Sequence, residues 1–218
     1  MLTEILDYTF MKNFLLALAS RIMSEKDRLD KLDAACGDGD FGIGMYLGFR
    51  NVYKAVEEET TEDIGAVLSR AGSAVLSSVG GASGPVFGTF FSEMGEKARG
   101  KNRIELDDFA SMLEASLEKV CLRGKAEVGD KTLVVALEPA TRSLREAASR
   151  KAELLPALQA AAEASKRGCE STANLVAKRG KARYLGEQAV GHLDPGAYFV
   201  QVIFEALLSI YKSSYPPK

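Results

Sequence analysis

Apolar residues recur every three or four positions through most of the chain. Leu6, Phe10, Phe14, Leu18 and Ile22 fall on one stripe at steps of four, and Phe109, Met112, Leu113, Leu117 and Val120 repeat the arrangement. Such a stripe is the buried face of an amphipathic helix. The stretch from Ser143 to Lys178 is rich in Ala, Leu, Glu, Lys and Arg, all strong helix formers. Thr60 followed by Asp63 has the form of a capping box ahead of the run Ile64 to Leu76. Asp194 followed by Pro195 sets a good cap ahead of a proline at the first helical position. No run alternates convincingly at period two. TLVVAL (132–137) is partly β-branched, but its pattern continues as a helix through Glu138 and Arg142. The pattern predicts an all-α chain of about eight helices, roughly at 3–27, 42–57, 62–78, 85–98, 106–121, 132–149, 154–177 and 195–213. No linker or repeat interrupts it, so one domain over 1–218 is expected.

The connections are less ordinary than the helices. Four of them carry glycine: 33–44, 79–84, 124–131 and 179–196. A plain helix–helix loop needs only about two to eight residues and no such glycine content. Composition removes several functions. With 46% hydrophobic and 27% charged residues, a chain of 218 buries a core without staples. A net charge of −2 argues against nucleic acid as a partner. Three cysteines without a CxxC, and a single histidine, His192, argue against a disulfide framework, a zinc site or a histidine-rich metal site. The N-terminus lacks the charge pattern of a signal peptide, and its longest uncharged run, 13–20, is too short for a bilayer. A cytoplasmic protein without membrane contact is expected.

The segment LDAACGDGD (32–40) holds Asp33, Asp38 and Asp40, with glycines on both sides of Asp38. Carboxylates this close repel one another unless a cation neutralises them, and magnesium accepts a few carboxylates while leaving positions for water and phosphate. A plain acidic surface turn is the bland alternative. An EF-hand loop fails, because the twelfth position from Asp38 is Phe49 where a bidentate Glu is required. Gly37, Gly39 and Gly42 match a dinucleotide fingerprint, but no strand precedes them. Val79 to Gly84 links two helices through glycines and presents backbone N–H groups and Ser83 to a phosphate, or is simply a tight turn. Gly124 to Thr132 misses the P-loop register by the inserted Asp130, which leaves a nucleotide-facing turn as the other reading. Arg179, Lys181 and Arg183 supply cations around Gly180, one of them for phosphate contact, or form an ordinary basic loop. His192 beside Asp194 hints at acid–base chemistry, but no nucleophile motif accompanies it, and no catalytic residue is assigned.

Four segments in order, LDAACGDGDFG, GGASGPVFGTFF, GDKTLVVALEPA and RGKARYLGEQAVGHLDPGA, span 32–197. Together they resemble the L subunit (DhaL type) of phosphotransferase-dependent dihydroxyacetone kinase, and the matching domain of single-chain ATP-dependent kinases. The resemblance implies a barrel of eight antiparallel helices with ADP or ATP at one end. It implies two magnesium ions on Asp33, Asp38 and Asp40, and Ala82 and Ser83 facing the phosphates. Gly124 and Leu133 would border the nucleotide, Lys181 would lie near the phosphates, and Asp194, Pro195 and Gly196 would close the pocket. Phe41, Gly42, Gly44 and Gly81 complete the expected nucleotide contacts. Phe41 and Gly44 stand where the family has His and Asn, and Ala82 where it has Ser. The implied partners are a phosphohistidine donor subunit of the phosphotransferase system and a K subunit that binds dihydroxyacetone, with a homodimer left open. Rival readings are a kinase component for another short polyol or sugar acid, and a nucleotide-sensing module without catalysis.

Overall fold

The computed structural model describes residues 5–216. Among them are nine α-helices: α1 (Tyr8–Ser24), α2 (Lys26–Ala34), α3 (Phe41–Glu57), α4 (Ile64–Ser78), α5 (Ser83–Lys97), α6 (Leu106–Gly124), α7 (Val134–Ser149), α8 (Leu154–Ser171) and α9 (Pro195–Ser214). Eight of them close a ring. Each of α3 to α8 packs on the helix after it, and α1 packs on both α3 and α9. The ninth, α2, lies on α3 and α9. The stripe residues Phe10, Phe14, Leu18 and Ile22 face one apolar core, joined by Phe49, Phe90, Phe91, Phe199 and Phe204. No described helix is long and apolar enough to cross a membrane.

Most neighbours in the ring are joined by short connections and run antiparallel; α1 reaches α3 through α2, and α8 reaches α9 through the longer segment 172–194. The connections therefore alternate between two ends. One end collects the turns before α3, α5, α7 and α9, which are the four glycine-bearing segments. The other collects the turns before α4, α6 and α8. There a two-stranded pair, β1 (Leu6–Asp7) with β2 (Arg103–Ile104), sets Leu6 opposite Ile104. This alternation brings the N-termini of four helices to the glycine end.

Several boundaries differ from expectation. The predicted helix 3–27 is broken at Glu25, and its first two positions lie outside the described residues. The Ser24 hydroxyl donates to the Arg21 carbonyl oxygen at 2.7 Å, and Glu25 pairs with Arg21 at 2.8 Å, so the chain turns into α2 without a glycine or proline to announce it. Thr60 is not the cap of α4. Buried Glu59 accepts from the Thr60 and Thr61 amides, and Asp63 caps the helix by accepting from Gly65 and Ala66 N–H at 2.7 and 3.3 Å. The helix predicted to reach 177 ends at Ser171, where Ser171 and Thr172 hydroxyls donate to Gly168 and Cys169 carbonyls. The short strands were not expected. Asp194 caps α9 as expected, accepting from Ala197 N–H at 2.7 Å, with Pro195 in the first turn.

Candidate functional site

A cavity of about 320 Å³ opens at the glycine end. Asp33, Asp38, Asp40, Phe41, Gly44, Gly81, Ala82, Ser83, Gly124, Leu133, Lys181, Asp194, Pro195 and Gly196 all line it. Gly42 is the one expected contact that does not. It is buried against α2, where a side chain would meet the Lys26 carbonyl oxygen at 2.1 Å, so its place is in helix packing.

The acidic turn is shaped by Asp33, near the end of α2. One Asp33 oxygen accepts the amides of Asp40 and Phe41 at 3.0 and 3.2 Å, capping α3 from outside. Gly37 passes so close that a Cβ would lie 2.6 Å from the other Asp33 oxygen. The capping leaves the Asp38 and Asp40 side chains exposed. One carboxylate oxygen from each of Asp33, Asp38 and Asp40 comes within 4.8 Å of the others. Burial pushes the Asp33 carboxyl upward, against the backbone bonds it accepts. The Lys181 ammonium bonds Asp38, holding that carboxyl low, and lies 3.6 Å from Asp40. A side-chain cation thus already sits between two of the three acids. A hard divalent ion suits the same oxygens: three carboxylates on an open face leave room for water and phosphate.

The opposite wall is the start of α5. Gly81 turns at φ 64°, and Gly84 lets the chain fold back, because a Cβ there would strike the Val79 carbonyl at 2.0 Å. No side chain caps α5, so its first N–H groups and its dipole face the cavity. Phe41, Val79, Val86, Phe87, Ala126 and Leu133 make the apolar wall. Phe41 is not an orphan ring: it meets Phe87 and Phe199 edge-on at 6.2 and 6.4 Å.

Cys36 and Lys131 also line the cavity without having been named as contacts, and so does Arg179, which the sequence offered only as one of three loop cations. Lys131 is 1% exposed, yet its ammonium donates to the Thr172 and His192 carbonyl oxygens, each at 2.6 Å. Burial draws its pKa down. The one sequence signal was a lysine in a glycine turn, read as a failed P-loop. Burial also raises Asp194, to about 7. His192 is exposed and enters the site only through its backbone carbonyl.

Residues 35–209 match the family model of the DAK2 domain. The "PEP-dependent dihydroxyacetone kinase 2, ADP-binding subunit DhaL" of Listeria innocua serovar 6a is 37% identical over 212 residues, covering 96% of this chain and 98% of that one. The corresponding "PEP-dependent dihydroxyacetone kinase, ADP-binding subunit DhaL" of Escherichia coli (strain K12) is 36% identical over 202 residues, 93% of this chain and 96% of its own. Among solved structures, the dihydroxyacetone kinase from C. freundii in complex with AMP-PNP and Mg2+ superposes with a TM-score of 0.73 at 25% identity. It covers 95% of this chain, which spans only 35% of that longer kinase. Sequence and fold thus place the chain in the DAK2 domain family, among the DhaL-type subunits of dihydroxyacetone kinase, a phosphotransferase.

Proposed function

We propose that the chain holds ADP or ATP in the cavity, with the phosphates between the acidic turn and the start of α5. The observation that carries this reading is the placement of three carboxylates opposite an uncapped helix N-terminus across one cavity. Neither feature alone makes a nucleotide site. Asp33, Asp38 and Asp40 would hold two magnesium ions, which supply charge neutralisation for phosphates. The α5 amides and Ser83 would bind phosphate oxygens, and the apolar wall of Val86, Phe87 and Leu133 would take the flat, uncharged part of the nucleotide. Lys181 would turn from Asp38 toward phosphate. Phosphoryl transfer asks little covalent chemistry of the protein, so the chain would act by positioning and by charge.

The bound nucleotide would serve as a carrier. A phosphohistidine subunit of the phosphotransferase system would charge ADP, and the γ-phosphoryl group would pass to dihydroxyacetone held on a separate K subunit in the cytoplasm. The ADP-binding relatives of full matching length support this arrangement. The test is transfer of labelled phosphoryl from the phosphohistidine donor, leaving out each component in turn. Sugar phosphate should form only with all three proteins, without ADP release at each turnover. Steady phosphorylation of the triose by this chain and ATP alone would contradict the carrier role.

A further inference from the structure

Residues 175–193, between α8 and α9, form a strap that carries Arg179 and Lys181 to the cavity wall. The strap has little apolar hold. Only Ala177 and Ala189 are buried in it, in a small cluster with Cys36 apart from the main core. Gly180, Gly186 and Gly191 adopt positive φ of 64°, 56° and 93°, where the chain turns freely. Few buried apolar contacts and exposed backbone are the marks of a segment that opens locally. Its position must come from polar anchors.

Lys181 on Asp38 and Asp40, and the Gly191 N–H on the Ala173 carbonyl at 2.7 Å, are two of them; the rest meet on two consecutive residues. At the entry, the Lys178 N–H donates to the Asp130 carbonyl at 3.1 Å. The Asp130 carboxylate, 6% exposed, pairs with Lys178 and Arg179 at 3.5 and 3.1 Å. At the exit, Lys131 binds the His192 carbonyl and, with the same ammonium, the Thr172 carbonyl at the end of α8. Lys131 does this from a left-handed backbone position, φ 56°, which costs a non-glycine residue some strain. A buried ammonium and a strained backbone are expensive ways to fill space, since a methionine would pack as well. Their return is that one turn grips both ends of the strap.

We infer that Asp130 and Lys131 are a positioning pair that clamps the strap, so that Lys181 is held beside Asp38 and Asp40 and bound nucleotide is retained. The retention part rests on the proposed nucleotide site; the clamp itself does not. Hydrogen exchange of the ligand-free full chain tests the clamp. In Lys131→Met and in Asp130→Ala, exchange across 175–193 should rise by about tenfold, with α4 and α5 unchanged. Lys131→Arg, which still offers donors to both carbonyls, should return part of the protection. Lys181→Met removes a phosphate-facing charge and should leave the strap protected. In the presence of magnesium, a fluorescent ADP analogue should leave both clamp variants about tenfold faster than the wild type. If Lys131→Met does not fold, Asp130→Ala carries the test. Unchanged strap exchange in a chain that binds ADP would overturn the clamp alone. Exchange rising equally in α4 and α5 would reduce the pair to general stability and overturn it too. A looser strap with unchanged ADP release would overturn the positioning role. A wild-type chain that binds no ADP would overturn the nucleotide reading.

Discussion

At the residue scale the site is a balance of charges that the backbone arranges. Asp33 uses one oxygen to cap α3, which ties the cluster of three acids to the fold. Asp194 is raised to about 7 because burial opposes its charged form. Its folded pKa lies above the ordinary carboxylate value of about 4, so the ligand-free fold loses stability as pH rises from about 4 to about 7. Asp194→Asn keeps a capping oxygen for Ala197 and removes the charge. It should raise the melting temperature by several degrees at pH 8 and leave it unchanged at pH 4, as measured by calorimetry without ligand. Phe41, Gly44 and Ala82 all line the cavity where the family resemblance implies polar groups. The triple change Phe41→His, Gly44→Asn and Ala82→Ser should therefore slow ADP release by about tenfold in stopped flow. It should also cost about 1 kcal/mol of stability through the lost Phe41 ring contacts. An unchanged off-rate would mean that these positions do not touch the nucleotide. The three acids were legible in the sequence because like charges crowd there. Lys131 was not, because nothing local shows that a lysine in a turn is buried by carbonyls 41 and 61 residues away.

At the scale of elements, caps and close approaches set the geometry. Asp63 caps α4 and also accepts the Gly100 amide at 3.0 Å, so Asp63→Ala should cost about 1–2 kcal/mol in urea unfolding. The α4–α5 pair is packed through glycine. A Cβ at Gly95 would lie 2.7 Å from the Gly65 carbonyl oxygen and from the Ser69 amide. Gly95→Ala gains helix propensity of about 1 kcal/mol, yet it should destabilise the protein by about 1–3 kcal/mol, because backbone must move. A stabilised Gly95→Ala would contradict that close approach. Helix existence was readable from period and stripe. The break at Glu25 was not, because a serine hydroxyl and one ion pair redirect a chain whose apolar pattern continues. The end of α8 at Ser171 escaped for the same reason: helix-forming composition runs on while side-chain hydroxyls claim the last carbonyls.

At the scale of the whole molecule, antiparallel closure of eight helices explains the site's location. Alternating connections gather the starts of α3, α5, α7 and α9 at one end, with their positive dipole ends. Asp33 and Asp194 cap two of these helices, while α5 has no side-chain cap. In the proposed reading this end takes the phosphates, and the acidic turn takes the cations that accompany them. The sequence showed that four glycine connections were unusual, but only the ring shows that they meet. The most direct measurement of this account is calorimetric titration of ADP into the purified chain, stripped of ligand, with magnesium and with EDTA. Binding should be clear with magnesium, lost with EDTA, and weakened at least about tenfold by Asp38→Asn at unchanged ligand-free melting temperature. ADP affinity that is the same in magnesium and in EDTA, and the same in Asp38→Asn, would contradict it.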